Sequence, residues 1–329
     1  MLLAYWLILF STSCFANILG LNISAGLNSV TTIYILVPLL LIPQILFCGV
    51  LVKYDKLHHS LTNYEYVPLI GNMMTSRWAY EALAVEQFKN NKYEKVFFDI
   101  EQKISAADYL NAYLVVFLEG KQNELKKSIL KGDDPESIQA DLQILNTQIA
   151  EMGKLVPELP PYKPGQTDVD AFNDSTTMAA IQSYFNSVKM HTRDIVGSSK
   201  REKELVNNAL IDQLGGVKGY TAFRNKYHNE SLSDLVRNRN VVGEKVDEKN
   251  GRLIRKHELG YMKPTSRYGR AHLYAPNKQI GRYEIDTLWY NVVAIWLYTL
   301  VLYLTLRTDL LRKAMTISER RKLSRKQAT

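Results

Sequence analysis

Residues 31–52 read TTIYILVPLLLIPQILFCGVLV and contain no charged side chain. A helix of these 22 residues would be about 33 Å long, enough to cross the hydrocarbon core of a bilayer, which is about 30 Å thick. Pro38 and Pro43 fall inside it and remove backbone hydrogen bonds, and neighbouring helices or a cavity normally satisfy the carbonyls that are freed. The stretch therefore predicts a membrane span within a helical bundle rather than a single anchor.

A second apolar segment, residues 2–19, comes before this span and predicts another membrane helix. Trp6 lies near its start, where aromatic side chains commonly meet the bilayer surface. A cleaved signal peptide, with Cys14 or Ala16 near the cleavage site, is the alternative, although the segment lacks the basic start of such peptides. The short polar connection between the two segments favours a tight antiparallel pair of spans.

The third predicted span is residues 286–306, and a basic tail at 307–329 follows it. The tail has eight Lys and Arg residues against two acidic ones, so it supplies +6 of the net charge of +8. Because positive residues beside a span mark its cytoplasmic end, we expect a protein integral to the cell or inner membrane with a cytoplasmic C-terminus. Three spans then place residues 53–286 outside the cytoplasm. The basic charge reflects this topology and does not indicate nucleic acid as a partner.

Two segments, ILFCGVLVKYDKL and, beyond Pro68, SRWAYEALAVEQF, resemble the membrane domain of bacterial-like ABC exporters of the G (white/pigment) subfamily. The resemblance covers roughly residues 1–90 and 265–325. It implies an all-α membrane protein in which three transmembrane helices accompany a large, mainly helical extracytoplasmic insertion. It also implies a re-entrant, membrane-proximal region at 53–104 and a dimer with a second permease protomer.

The sequence lacks a phosphate-binding loop of the Gly-x-x-x-x-Gly-Lys-Ser/Thr type. We therefore predict a permease part of an ATP-driven exporter that is not an enzyme on its own and has no cofactor in this chain. The resemblance implies that a fused or separate ATP-binding cassette domain binds ATP and Mg, and that this chain is the C-terminal portion of such a transporter. The alternative is a membrane-anchored interaction or sensor protein with a helical extracytoplasmic domain.

The resemblance also implies where a substrate path would run. Aligning CGVLV with the turn of small residues and leucines in the family places Gly49 beside an outer valve and Val50 and Leu51 in it. Ile45 and Ile42, one and two helical turns lower, would face the cavity. The ordinary interpretation of such residues is contact with lipid or with neighbouring helices. No catalytic, cofactor-binding or metal-ligating residue is predicted, because the six histidines show no ligand spacing.

The polar region after the second span contains no cysteine, and its patterns are helical. Ser105 with Asp108 predicts a capping box that opens a helical hairpin over 105–156, with Gly132 ending its first helix and Pro135 beginning its second. The second helix carries an apolar seam, which is more typical of a core than of a binding site. The seam consists of Ile138, Leu142, Leu145, Ile149 and Met152.

A Pro-rich linker at 157–167 follows the hairpin, and the region 168–285 is predicted to be helical and then irregular. Ser199 with Glu202 predicts a new helix that stops at the pair of glycines at 215–216, and Ser231 with Asp234 predicts a weaker start. From residue 241 onward the pattern becomes charged and irregular. No pairing of a nucleophile with a base has a recognisable spacing, so enzyme chemistry is not predicted here.

Overall fold

A computed structural model describes residues 1–27, 29–58, 61–62, 65–156, 159, 175–240, 245–249, 252–310 and 312–313. About 73% of these described residues are helical. Helices α1 to α11 are Leu2–Gly26, Val30–Leu46, Leu69–Asn72, Thr75–Lys89, Glu94–Tyr109, Val115–Lys131, Pro135–Leu155, Ser175–Gln213, Val217–Tyr227, Glu230–Arg237 and Thr287–Arg307. Strands β1 to β4 are Val246–Lys249, Arg252–Arg255, Asn277–Ile280 and Tyr283–Asp286.

The chain forms two compact units. Unit 1 consists of Met1–Asn90 and Lys263–Thr329, and unit 2 is Asn91–Met262. The predicted re-entrant region 53–104 is therefore divided, because its last eleven residues, 94–104, belong to helix α5 of unit 2. The predicted linker at 157–167, apart from residue 159, and most of the basic tail lie outside the described residues.

Two helices of unit 1, α1 and α11, are long and apolar enough to cross a membrane. Helix α1 continues to Gly26, seven residues beyond the predicted segment 2–19, and α11 is found where the last span was predicted. Helix α2 is equally apolar but has only 17 residues, so its crossing of a membrane remains a prediction. The helix predicted over 31–52 in fact ends at Leu46, and residues 47–52 form turns and bends.

The chain leaves the helical path of α2 near Gly49, whose φ of +88° lies in the left-handed region. A Cβ atom at this position would come within 2.8 Å of the Leu273 side chain and 3.0 Å of the Tyr54 ring. Only glycine fits both the backbone conformation and the space. The Tyr54 hydroxyl also donates a hydrogen bond of 2.9 Å to the Phe47 carbonyl, which satisfies one of the carbonyls left free where the helix stops.

The core of unit 1 forms where α1, α4 and α11 pack together. Ile8, Ala82 and Ile295, one from each helix, are completely buried there. Toward the other end of α1 and α11, the Asn22 side chain donates to the Leu302 carbonyl at 2.9 Å and accepts from the Thr305 hydroxyl at 2.8 Å. Apolar and polar contacts thus hold α1 against α11 along most of their lengths.

Helix α4 lies along only half of α11. The Tyr298 hydroxyl donates to the Asn72 carbonyl just before α4 begins, at 2.9 Å, and Lys89 at its end pairs with Asp286 at 2.6 Å. Tyr298 is about 16 Å along the helix from Thr287 at 1.5 Å per residue. The segment before α4 therefore reaches the middle of α11, and α4 returns to its Thr287 end. A re-entrant course of this segment in a membrane stays a prediction.

In unit 2, α5 continues through a π-helical turn, Leu110–Leu114, into α6. Ser105 lies inside α5, so the predicted capping box at Ser105 and Asp108 is wrong. The serine hydroxyl instead accepts a hydrogen bond of 2.6 Å from Arg255, and apolar residues before it, Phe97 among them, continue the buried face. The Ser105 side chain therefore bonds to a residue that is distant in the sequence and does not cap a helix.

The helical hairpin is formed by α6 and α7. Gly132 ends α6 with a φ of +72°, and Pro135 is the first residue of α7, as predicted; the Asp134 side chain makes no capping hydrogen bond. All five residues of the predicted seam are buried. They pack not only on α6 but also on α8, which contributes Ile181 and Phe185. The seam therefore belongs to a three-helix core rather than to a two-helix coiled coil.

Helix α8 runs without a break for 39 residues, so the predicted helix start at Ser199 is wrong. Ser199 is buried at 4% exposure and lies within the helix. The chain does turn at Gly215 and Gly216, both with positive φ, as the pattern predicted. Helix α10 starts two residues earlier than expected, because Asn229 rather than Ser231 caps it by accepting from the Leu232 backbone N–H.

The region predicted as irregular contains two antiparallel hairpins, which also corrects the all-α expectation. Strands β1 and β2 pair from Val246 opposite Arg255, and Val246 is buried in the core of unit 2. Strands β3 and β4 pair in unit 1 from Asn277 opposite Asp286. Four-residue strands rich in charged side chains give no clear alternation, so their sequence did not indicate them.

Candidate functional site

The predicted valve residues divide into two sets. Ile42 and Ile45 lie three residues apart near the end of α2, with exposed fractions of 53% and 54%. Gly49, Val50 and Leu51 lie in the turn beyond the helix, where Val50 is 43% and Leu51 64% exposed. No residue of α2 is buried within the chain. These apolar side chains are therefore open to a contact outside this single chain.

A polar cluster of unit 1 is buried near this turn, and two of its members belong to the segment SRWAYEALA. Arg77 and Glu81 lie four residues apart on α4, and Lys278 on β3 and Asn291 on α11 meet them there. All four side chains are at most 2% exposed. We call these four residues the buried charge cluster.

Glu81 is the centre of the cluster, and one of its oxygens accepts from two partners. Its Oε2 accepts from Lys278 Nζ at 2.6 Å and from Asn291 Nδ2 at 2.8 Å. Arg77 Nη1 lies 3.3 Å from the same oxygen, close enough for charge attraction but without hydrogen-bond geometry. The Asn291 amide also donates to the Trp78 carbonyl and accepts from Lys278, both at 3.0 Å. The cluster thus fastens α4 to β3 and to α11.

Aromatic rings enclose the two cations. The Arg77 guanidinium carbon is 3.8 Å from the centroid of the Trp78 ring, and Lys278 Nζ is 4.6 Å from the same ring system and 5.1 Å from that of Tyr290. Cations over aromatic faces gain electrostatic stabilisation without water. The rings partly replace the hydration that the charges lose on burial.

The cluster holds two basic side chains against one carboxylate. Burial raises the pKa of Glu81, but the nearby Arg77 and Lys278 outweigh this effect and hold it below its ordinary value. Burial lowers the pKa of Lys278 to about 7, although Glu81 opposes the change. Arginine does not lose its proton in proteins. Lys278 is therefore the member that can release a proton and leave the cluster neutral.

Tyr54 links the cluster to the turn after α2. Its hydroxyl donates to the Phe47 carbonyl and also packs against Gly71. A Cβ atom at Gly71 would come within 2.6 Å of the hydroxyl oxygen, so this close approach requires glycine. Burial raises its pKa, and the nearby Arg77 counteracts part of that rise. Tyr54 therefore bonds to the end of α2 and lies close enough to Arg77 to feel the charge of the cluster.

Unit 2 has its own charged groups. Arg237 contacts Glu258 through two hydrogen bonds of 2.5 and 2.9 Å, and His228 lies 2.5 Å from Glu94. Burial raises the pKa of Glu94, and His228 opposes this. His228 joins the residues just before α10 to α5, and Arg237 joins the end of α10 to the segment after β2. Both pairs have a structural role. Among the described residues, no three His, Cys, Asp or Glu side chains are grouped to hold a metal ion.

Sequence reasoning quoted Arg77 and Glu81 within a motif but did not assign them to the site. Their spacing of four residues is the signal that could have identified a pair on one helical face. Asn291, a polar residue within an apolar span, was a second signal. Lys278 had no local signal, because it lies 197 residues from Glu81.

Comparison with known protein families gives one match. Residues 1–87 match the model of the family described as ABC-2 type transporter. No curated protein and no solved structure matches the chain. The match contains α1, α2 and most of α4, and with them the five predicted valve residues, Arg77 and Glu81. The N-terminal part of the chain is therefore similar to the membrane domain of ABC-2 type transporters.

Proposed function

We propose that this chain is the permease part of an ATP-driven ABC-type transporter. The observation that carries the proposal is the match of residues 1–87 to the ABC-2 type transporter family. Helices α1 and α11 supply two apolar segments of sufficient length for a membrane domain. The path of α4 along half of α11 supports a re-entrant element of the kind expected from the resemblance to the G subfamily.

In this proposal the transporter is an exporter with two permease protomers. An ATP-binding cassette domain or subunit binds ATP and Mg, and its closure changes which side of the membrane the central cavity faces. Unit 2 lies on the extracytoplasmic side, and the C-terminus is cytoplasmic. The exposed apolar surface of α2 is consistent with a second protomer or lipid against it.

The valve is the part of the proposal that concerns single residues. If Val50 and Leu51 meet their counterparts on the axis of a dimer, shortening them widens the constriction and alters efflux. Efflux is measured in cells that carry the complete transporter with Val50→Ala and Leu51→Ala, normalised to transporter in the membrane. Leu39→Ala, which shortens another exposed apolar side chain of α2, is the matched control. Equal efflux by the parent and the valve variants would remove the valve and leave the permease proposal intact.

The permease proposal is tested by isolating the tagged chain from its native membranes in mild detergent. We expect an ATP-binding cassette protein to co-purify in a stoichiometric amount, because the permease has no phosphate-binding loop to couple to ATP by itself. Mass spectrometry identifies the co-purifying protein. Recovery of the folded chain without any nucleotide-binding protein, at several detergent concentrations, would contradict the proposal.

A second candidate function is a membrane-anchored interaction or sensor protein. Unit 2 favours it, because Asn91–Met262 forms a compact unit with its own core, as a ligand- or partner-binding domain would. Deletion of the cassette protein separates the two candidates. A sensor would retain its biological activity when the cassette protein is deleted, whereas a permease would lose it.

A further inference from the structure

The β3–β4 hairpin presents an ordered surface immediately before α11. Tyr268 forms a bridge to Ile280, so a third extended segment lies beside β3. The backbone N–H of Gly269 donates to the Gln279 carbonyl at 2.7 Å, and that of Gly281 donates to the Arg267 carbonyl at 2.8 Å. These bonds fix the relative positions of the side chains on both segments.

Large apolar and aromatic side chains on this surface are exposed among the described residues. Tyr268 is 89% exposed, Tyr283 79% and Ile280 48%, and Trp289 in the first turn of α11 is 58% exposed. Tyr and Trp are enriched where the apolar part of a bilayer meets its headgroups, because their rings have an apolar body and a polar tip. Such a group of residues is suited to the membrane interface.

The position of the hairpin relative to a membrane span agrees with this. Asp286 is the last residue of β4 and also caps α11, since its carboxylate accepts from the Leu288 backbone N–H at 3.0 Å. Helix α11 is one of the two helices that are long and apolar enough to cross a membrane. No linker separates strand from helix, so the hairpin lies at the level where α11 enters the bilayer.

The charges on the same segments are mainly positive. Arg267, Arg270 and Arg282 are exposed, and the structure gives none of them an ion pair with another described residue. Glu284 is the exposed carboxylate of the hairpin, and Asp286 is already paired with Lys89. Guanidinium groups bind phosphate oxygens through two parallel hydrogen bonds and are more weakly hydrated than ammonium groups.

We propose that this surface binds the headgroups of anionic phospholipids in the leaflet that α11 enters at Thr287. The surface, which we call the headgroup patch, consists of Arg267, Tyr268, Arg270, Ile280, Arg282 and Tyr283. The tyrosines and Ile280 lie at the boundary of the acyl chains, and the arginines bind the phosphates. Each basic residue near an anionic surface strengthens the attraction between the protein and the lipid headgroups. Added salt shortens the Debye length and therefore weakens this attraction.

The test uses the full-length chain in nanodiscs of phosphatidylcholine that contain a fixed fraction of phosphatidylglycerol. The acyl chains of either phosphatidylcholine or phosphatidylglycerol are brominated, and the quenching of tryptophan fluorescence is measured. The quenching of Trp289 is the difference between the quenched fluorescence of the parent and that of Trp289→Phe. We expect brominated phosphatidylglycerol to quench at least about twofold more than brominated phosphatidylcholine at the same bulk fraction. High salt should reduce this ratio toward one.

Three triple variants complete the design. Changing Arg267, Arg270 and Arg282 to Gln should bring the ratio to one, and changing them to Lys should retain most of the selectivity. Changing Lys218, Arg224 and Lys226 of α9 to Gln removes the same charge from exposed positions of unit 2 and should leave the ratio unchanged. A ratio of one in the parent, or equal loss in the α9 variant, would overturn the proposal, and neither result depends on transport.

Discussion

Substitution of Glu81 tests whether its carboxylate balances the two cations of the buried charge cluster. Glu81→Gln keeps the size of the side chain but leaves Arg77 and Lys278 as two buried cations without an anion. Removing one partner of a buried charge pair costs about 3–5 kcal/mol, because the remaining charge is uncompensated. Glu81 is completely buried and accepts hydrogen bonds from Lys278 and Asn291, so we expect the free energy of unfolding to fall by that amount.

Substitution of Lys278 should have a smaller effect. Lys278→Met keeps a long unbranched side chain, and Glu81 then balances Arg77, so we expect a cost below about 1.5 kcal/mol. In the double variant Arg77 is the one cation of the cluster left without an anion, whereas Glu81→Gln alone leaves two. The cost of the double variant should be at least about 1 kcal/mol smaller than the sum of the single costs. Loss of Glu81 should therefore cost more stability than loss of Lys278, because two cations share this one anion.

The assay is reversible unfolding in mixed micelles by SDS, followed by tryptophan fluorescence. Glu284→Gln is the control, because Glu284 is exposed on β4 and should change stability by less than about 0.5 kcal/mol. Equal costs for Glu81→Gln and Lys278→Met, or strict additivity in the double variant, would refute the reasoning.

Three further outcomes are expected. Burial lowers the pKa of Lys278 to about 7, so between about pH 7 and 10 the unfolded state binds more protons than the folded state. As the pH rises through this range, the parent should therefore gain stability relative to Lys278→Met, by at most about 1.4 kcal/mol per pH unit. Parallel pH profiles of the parent and the variant would contradict this. Gly49→Ala, with its positive φ and a side-chain contact at 2.8 Å, should cost about 1–3 kcal/mol in the same SDS assay, whereas Gly20→Ala on α1, where nothing lies within 4 Å, should not destabilise. Leu145→Ala in the α7 seam should lower the stability of unit 2 in the full chain by about 2–5 kcal/mol, because Leu145 is buried. Leu130→Ala, at an exposed position of α6, should cost under about 0.5 kcal/mol. Equal unfolding midpoints for the two variants would contradict the three-helix core.

The apolar helices could be predicted because composition alone reveals a segment that is hydrophobic on all sides. The helix boundaries could not be predicted equally well. Helix α2 stops at Leu46 because Gly49 is confined by Tyr54 and Leu273, and the latter lies more than 200 residues away. Ser105 was assigned to a cap, but its hydroxyl serves Arg255 instead. Tertiary partners decided these positions against the local pattern.

The candidate site was accessible from the sequence only in part. Arg77 and Glu81 were visible as a charged pair in an apolar motif, because they lie four residues apart on one helix. Their partner Lys278 comes from a four-residue strand in a region whose pattern appeared irregular. The charge balance of the cluster, and with it the role of Lys278, depends on a contact that no local spacing encodes.

The permease proposal is tested most directly by ATP hydrolysis in a reconstituted complex. The purified chain and its cassette protein are placed in nanodiscs, separately and together, and the hydrolysis rate is measured in each case with ATP and Mg. A permease predicts no hydrolysis by this chain alone, and a rate for the complex that differs from that of the cassette protein alone and changes with Leu51→Ala. Hydrolysis by the chain alone, or a cassette rate that the chain does not alter, would contradict the proposal.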